Sequence, residues 1–202
     1  MKLYYAPGAC SLAPHIVLAE AGIAADLVKV DLKTHQTEAG VDYYTINPKG
    51  SVPLLGLDNG ERLTEVSAIV QYLADQKPDT GLAPAAGTFE RYRLQEWLNF
   101  VSSELHKQYS PFFNPATPDE YKEMVKKKLG ERFAYLTKHL KGRDYLLGNN
   151  FSVADAYMFT ILRWSPSVGV QLEPWPALKE YLARVGARSK VSEVMKVEGL
   201  AN

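Results

Sequence analysis

The sequence predicts a protein of two domains, an α+β domain followed by an all-helical α domain. Short apolar strands alternate with helices up to residue 78, the pattern of a sheet crossed by helices. Residues 79–87 are dense in Pro, Gly and Ala, which is typical of a linker between domains. From residue 88 the apolar residues recur every three or four positions, as in helices. We therefore predict domains at 1–78 and 88–202.

Composition excludes several classes of protein. Lys plus Arg and Asp plus Glu both number 23, so the zero formal charge argues against nucleic acid and anionic membranes as partners. No apolar run approaches the ~20 residues that span a bilayer. The first residues lack an apolar signal segment, and a single cysteine cannot form an internal disulfide. We expect a soluble, cytoplasmic protein.

The first domain opens with a strand, a helix and a second strand. The strand is predicted at Lys2–Tyr5, and Ser11 is the expected N-cap of a helix that ends before Gly22. Asp26–Val30 is the second strand, which a right-handed crossover would place parallel to the first. Residues 31–50 show no clear period and are expected to be irregular, with at most a short helix.

An antiparallel hairpin and a helix complete this domain. Residues 50–64 predict the hairpin, with its turn at Asp58-Asn59-Gly60. Pro53 cannot donate to a strand ladder, and its peptide bond is either ordinary trans or a rarer cis bond. The helix at Ala68–Asp75 follows Glu65-Val66-Ser67, where its free N–H groups favour an anion. The resulting order, βαβ then ββα, is that of the thioredoxin fold.

Cys10 is the first candidate functional residue. It precedes the predicted N-terminus of the first helix, where N–H groups and the helix dipole favour a thiolate. The alternative is a small apolar residue packed between strand and helix. A dithiol redox cycle is excluded, because the run Cys10-Ser11-Leu12-Ala13 holds no second cysteine.

The second domain is predicted to consist of helices. Its first helix carries an apolar stripe formed by Leu94, Leu98, Val101 and Leu105. A polar stripe lies beside it and is formed by Asn99, Ser103 and His106. Pro111 is expected to end or kink that helix. The next helix opens at Pro118 and closes before Gly142. Ser152 and Asp155 predict a capping box at the start of a central apolar helix, and Ser189 starts a last short helix.

With these elements assembled, the whole chain resembles a cytosolic glutathione transferase of the bacterial beta class. The resemblance is carried by Pro7-Gly8-Ala9-Cys10-Ser11-Leu12, Asn47-Pro48-Lys49-Gly50-Ser51-Val52-Pro53, Glu96-Trp97-Leu98-Asn99, Glu104-Leu105-His106-Lys107 and Phe151-Ser152-Val153-Ala154-Asp155-Ala156-Tyr157. It implies a detoxification enzyme that uses glutathione as co-substrate without a metal, and a homodimer.

The resemblance also implies a role for individual residues. Cys10 would lie beside the glutathione sulfur, often in a mixed disulfide with it, and His106 would tune that thiol. Val52 would pair its main chain with the cysteinyl part, before a cis peptide bond. Glu65 and the backbone of Val66 would hold the γ-glutamyl end.

Further expected contacts come from other parts of the chain. His35 replaces a lysine that meets the glycyl carboxylate in many relatives, so that contact is expected to be weaker. Asn99, Ser103 and Glu104, with Leu105 beside them, would reach the glutathione of a neighbouring subunit.

The expected activity is transfer of the glutathione sulfur to a hydrophobic electrophile. Some members of the class remove chloride from aromatic compounds. The alternatives are therefore a dehalogenase, a glutathione-dependent thiol-disulfide reductase acting through Cys10, and a non-catalytic binding protein of the same fold. Four aromatic residues are candidates to line the electrophile pocket, although such residues often belong to a core: Phe112, Phe113, Tyr157 and Trp164.

Overall fold

The computed structural model describes residues 1–200, which form two compact units. One unit contains Met1–Ala83 together with the segment that begins at Arg188, and the other is Pro84–Ala187. These limits differ from the predicted domains at 1–78 and 88–202, because the last helix lies with the first unit. Arg188 explains part of this difference, since its guanidinium makes two hydrogen bonds, of 2.7 and 2.8 Å, to the carboxylate of Glu20.

A five-stranded sheet forms the centre of the first unit. Its strands are β1 (Lys2–Tyr5), β2 (Asp26–Asp31), β3 (Gln36–Thr37), β4 (Leu54–Gly56) and β5 (Arg62–Thr64). Their order in the sheet is β3-β2-β1-β4-β5, with β1 parallel to β2 and antiparallel to β4. The predicted thioredoxin-like order is confirmed, including the parallel crossover and the hairpin of β4 and β5.

Eight helices are numbered along the described residues. They are α1 (Leu12–Ala21), α2 (Val66–Asp75), α3 (Phe89–Phe100), α4 (Lys107–Phe113), α5 (Asp119–Leu140), α6 (Val153–Leu162), α7 (Pro176–Gly186) and α8 (Ser189–Val197). A π-helical segment, Val101–His106, joins α3 to α4. The second unit is helical, as predicted, and Pro111 lies inside α4 instead of ending it.

Two expectations about the first unit hold only in part. Ser11 occupies the N-cap position of α1, as predicted, but its side chain caps no helical N–H. Its hydroxyl instead accepts from the N–H of Ala6 at 3.1 Å and donates to the carbonyl of Ala6 at 3.2 Å. Residues 31–50 contain a short 3₁₀ helix at Tyr43–Thr45, in keeping with the expected irregular segment, but they also contain strand β3. Its two residues pair with Val30 and Asp31 across a tight turn, and so short a strand leaves no period in the sequence.

The start of α6 is built as predicted. Ser152 and Asp155 form the capping box, in which the Asp155 carboxylate accepts from the Ser152 N–H at 2.9 Å and from its hydroxyl at 2.7 Å. The other carboxylate oxygen accepts from the N–H of Leu146 at 2.8 Å and from the hydroxyl of Tyr181 at 2.9 Å. Asp155 therefore joins the loop before α6, the start of α6 and helix α7.

Candidate functional site

Cys10 lies in the turn between β1 and α1, half-buried against the segment that leads into β4. Its thiol donates to the carbonyl oxygen of Val52, with Sγ and O 3.2 Å apart. Burial raises the pKa of this thiol to about 12, and the charge of Glu65 adds to the rise against the opposing N–H groups of Cys10 and Ser11. Desolvation exceeds the opposing effect of the neighbouring N–H groups, and it favours the neutral thiol over the thiolate that the sequence led us to expect.

The main chain at Val52 is held in place from the preceding loop. The Tyr43 hydroxyl and the Asn47 side-chain amide both donate to the carbonyl of Ser51, at 3.0 and 2.6 Å. Tyr43 is buried in a small apolar cluster that includes Val52. The Val52–Pro53 bond is cis, which settles the alternative that the sequence left open. These two donors fix the carbonyl of Ser51. Val52, which contacts Cys10, is the next residue, so its main chain is held in place as well.

His35 lies against the same loop. Its Nδ1 donates to the carbonyl of Gly50 at 3.1 Å, because a carbonyl oxygen can only accept. Its ring lies 4.5 Å from the ring of Tyr44, centroid to centroid. Gly50 is required here, since its φ is +65° and a Cβ would lie 2.5 Å from the Tyr44 ring. The hydrogen bond to Gly50 and the ring contact with Tyr44 thus hold His35 against the loop that ends at Val52.

Glu65 stands directly before the first residue of α2, with φ at +71°. Its exposed carboxylate forms an ion pair of 2.7 Å with Lys49, which also donates to the hydroxyl of Thr64 at 3.0 Å. Val66 begins α2, which starts two residues earlier than predicted, and its side chain is buried. Lys49 belongs to the Asn47–Pro53 motif, but its pairing with Glu65 has no signal in the sequence.

His106 lies at the end of the π-helical segment in the second unit. Its Nδ1 lies 2.6 Å from the hydroxyl oxygen of Tyr157, and its ring centroid 5.1 Å from that of Trp164. Phe113, which is 56% exposed, packs edge-on against Trp164 at 5.3 Å. Tyr157 is buried, so it forms a hydrogen bond with His106 but offers no exposed surface to an electrophile. The exposed aromatic surface near His106 therefore includes Phe113.

The other predicted residues of this unit have different surroundings. Asn99 and Ser103 are exposed, and the Ser103 hydroxyl donates to the carbonyl of Asn99 at 2.9 Å. Glu104 is half-buried and paired with Arg132 at 2.7 Å. The side chain of Leu105 is fully buried, so only its main chain can meet a ligand. These neighbours differ in access because Leu105 lies on the core face of the helix.

Residues 1–200 contain no group of three or more His, Cys, Asp and Glu side chains arranged to hold a metal ion. No helix in that range is both long and apolar enough to cross a membrane.

Comparison with known proteins places this geometry in a family. Residues 8–76 match the model of the glutathione S-transferase N-terminal domain, and residues 100–189 match that of the C-terminal domain. A bacterial transferase, BphK, solved as a ternary complex, is 55% identical, with a TM-score of 0.97 over 99% of this chain and 100% of its own. The chain belongs to the glutathione S-transferase family.

Two further structures define the class of this transferase. A sphingomonad glutathione S-transferase complexed with glutathione is 50% identical, with a TM-score of 0.95 over the whole of both chains. The beta-class transferase of Sphingomonas chungbukensis is 48% identical, with a TM-score of 0.96, again over the whole of both chains. The protein is therefore a glutathione S-transferase of the beta class, as the sequence motifs implied.

Proposed function

We propose that this transferase binds glutathione between Cys10, Val52 and the start of α2, and transfers the glutathione sulfur to hydrophobic electrophiles. The observation that carries the proposal is the 3.2 Å contact between the Cys10 thiol and the Val52 carbonyl. The charge of Glu65 also raises the pKa of this thiol, so the three residues belong to one site. One site thus offers a sulfur, a strand-like main chain and a carboxylate to one small peptide. The sphingomonad relative was solved with that peptide.

Binding would use the main chain and opposite charges. Val52 would pair its N–H and C=O with the cysteinyl part of glutathione, as one strand pairs with another. Glu65 would take the γ-glutamyl ammonium, while the first N–H groups of α2 take the adjoining carboxylate. Val66 offers only its main chain, because its side chain is buried. The ammonium would compete with Lys49, which is 2.7 Å from Glu65.

His35 would meet the glycyl carboxylate at the other end of the peptide. It donates through Nδ1 to Gly50, so the same imidazole would reach the carboxylate through its other nitrogen. An imidazole carries less positive charge at neutral pH than a lysine does. We therefore assign His35 a smaller share of the affinity than Glu65.

The chemistry requires negative charge on the glutathione sulfur. That sulfur attacks the electrophilic carbon as a thiolate, the new S–C bond forms, and a leaving group departs with the electron pair of its bond. Cys10 is a neutral thiol with a pKa near 12, so its S–H can turn from Val52 to donate to the glutathione thiolate. In this proposal Cys10 stabilises the nucleophile, and His106 tunes the glutathione thiol.

The remaining assignments concern the second unit and a second copy of the chain. Phe113 offers exposed aromatic surface for the electrophile. Asn99 and Ser103 are exposed and available to the partner's glutathione in a homodimer, with Glu104 beside them. Light scattering should then give twice the mass of one chain. The cytoplasmic location expected from the sequence stays a prediction.

Thiol-disulfide reduction is the second candidate activity, and the state of Cys10 disfavours it. A reductase attacks disulfides with a cysteine thiolate, whereas burial keeps Cys10 protonated at neutral pH. The Cys10→Ala variant separates the two activities. It should retain measurable conjugation if Cys10 only donates a hydrogen bond, whereas a reductase would lose all turnover of glutathione mixed disulfides.

Titration calorimetry with glutathione, combined with conjugation of 1-chloro-2,4-dinitrobenzene, tests the main proposal. The wild-type chain should bind glutathione and form the conjugate, and Glu65→Gln should weaken both. Glu61→Gln is a matched control, because Glu61 is an exposed carboxylate on the nearby hairpin. A wild-type chain that shows no heat of binding would overturn the proposal, and so would equal losses in the two variants.

A further inference from the structure

Glu198 directly follows α8 and carries a buried carboxylate within the first unit. One of its oxygens lies 2.7 Å from Nδ1 of His15, on α1. The other accepts from the N–H of Gly8 at 2.9 Å. Both oxygens are therefore used by two separate parts of the unit, the first helix and the loop that carries Cys10.

The loop is held from two sides. Gly8 lies two residues before Cys10 with φ at +72°, and a Cβ at this position would lie 3.2 Å from the side chain of Leu200. On the other side, Ser11 is hydrogen-bonded to both main-chain groups of Ala6. The segment after α8 thus contacts the loop through Glu198 and Leu200, and Cys10 lies between the two attachments.

A buried carboxylate is a costly way to attach a helix. Burying a charge requires compensating partners, and replacing a buried ion pair by apolar groups is often neutral or stabilising. Helix α8 already has a less buried attachment at its other end, where Arg188 makes two hydrogen bonds to Glu20. The added feature at Glu198 is its hydrogen bond to the main chain of the Cys10 loop.

We propose that Glu198, oriented by His15, is a positioning residue that holds the Cys10 loop closed, so that the thiol stays packed against Val52. The effect on catalysis rests on the proposed function, whereas the effect on the thiol itself does not. Tyr5 lies close to this pair, with its ring centroid 5.9 Å from that of His15. Burial raises the pKa of the Tyr5 phenol, and the negative charge of Glu198 adds to that rise.

Alkylation of Cys10 by iodoacetamide tests the inference, because Cys10 is the only cysteine in the chain. In Glu198→Ala the loop loses an acceptor, the thiol gains access to water, and its alkylation at neutral pH should rise about tenfold for each pKa unit regained. The curve of alkylation rate against pH should move to lower pH by as many units as the pKa of the thiol falls. Turnover of the electrophile should fall, with its KM unchanged.

Two variants separate positioning from simple stabilisation. Glu198→Gln keeps an oxygen for Gly8 and should stay within about threefold of the wild-type alkylation rate. Arg188→Ala loosens α8 at its other end, and should lower the melting temperature while leaving the curve of alkylation against pH unchanged. If Glu198→Ala does not fold, Glu198→Asp serves instead, since the shorter carboxylate cannot reach both Gly8 and His15.

The outcomes are decisive in either direction. An unchanged alkylation curve in Glu198→Ala or Glu198→Asp would overturn the inference, and so would an equal rise in Arg188→Ala. A chain that shows the expected alkylation curves yet binds no glutathione would overturn the proposed function alone. The two hypotheses therefore fail by different measurements.

Discussion

Replacing Asp155 by alanine should destabilise the protein strongly. The carboxylate is fully buried and accepts four hydrogen bonds, from the N–H and hydroxyl of Ser152, the N–H of Leu146 and the hydroxyl of Tyr181. Loss of the capping box costs about 1 kcal/mol. The donors of Leu146 and Tyr181 are then left buried, at roughly 1–3 kcal/mol each.

With about 2 kcal/mol for each of the two donors, these costs add up to a loss of about 5 kcal/mol in the free energy of unfolding. For a chain of this size the melting temperature should fall by about 10–20 °C. Urea unfolding followed by circular dichroism measures the first quantity and calorimetry the second. Glutathione affinity of the folded fraction should not change, because the network lies in the core of the second unit.

Two control variants show how large the loss of stability in Asp155→Ala is. Ser152→Ala removes only the cap and should cost about 1 kcal/mol. Asp119→Ala, at the start of α5, removes an aspartate whose side chain is 96% exposed, and should change stability by less than about 0.5 kcal/mol. The reasoning would be refuted if Asp155→Ala lost no more stability than Ser152→Ala, because the two remaining donors would then carry no cost.

Three further predictions concern the site. The unfolded chain loses the Cys10 proton near pH 9 and the folded chain near pH 12, so this thiol should lower stability as pH rises across that interval. Buried tyrosines with raised pKa values add to the fall, so Cys10→Ala should reduce the slope without removing it. The ultraviolet absorbance of the wild type minus that of Cys10→Ala should rise near the higher pH, and a rise near pH 9 would contradict the burial argument. Glu65→Gln should weaken glutathione binding by about tenfold in calorimetry, because it removes a charged partner. His35→Ala should weaken binding less, and equal losses in the two variants would contradict that ranking. Tyr157→Phe should lower kcat about fivefold at saturating glutathione by removing the hydroxyl beside His106, and an unchanged kcat would exclude that role.

The fold was largely predictable because local patterns determine it. Strands, turns and helices each leave a period or a capping signal, as the box at Ser152 and Asp155 shows. Strand β3 left none, since two residues make no period. The placement of α8 also had no local signal, because it depends on Glu198 meeting His15, 183 positions away.

The sequence singled out candidate residues of the site, but it did not show how they interact. Cys10 and Val52, each assigned to glutathione by the resemblance, are in contact with each other. Whether a thiol at a helix start is a thiolate depends on how much solvent it loses, and burial of Cys10 is a property of the folded chain. The pairing of Lys49 with Glu65 was missed for a similar reason, since it arises only when the loop before β4 folds back toward α2.

The return of the last helix to the first unit has a consequence for folding during synthesis. The ribosome releases residues 1–83 first, but His15 and the loop of Gly8 lack their carboxylate until Glu198 emerges. The whole of Pro84–Ala187 must be made in between. The unit that holds Cys10 is therefore begun before Pro84–Ala187 and completed after it, so a nascent chain would be able to close its thiol site only once Glu198 has emerged.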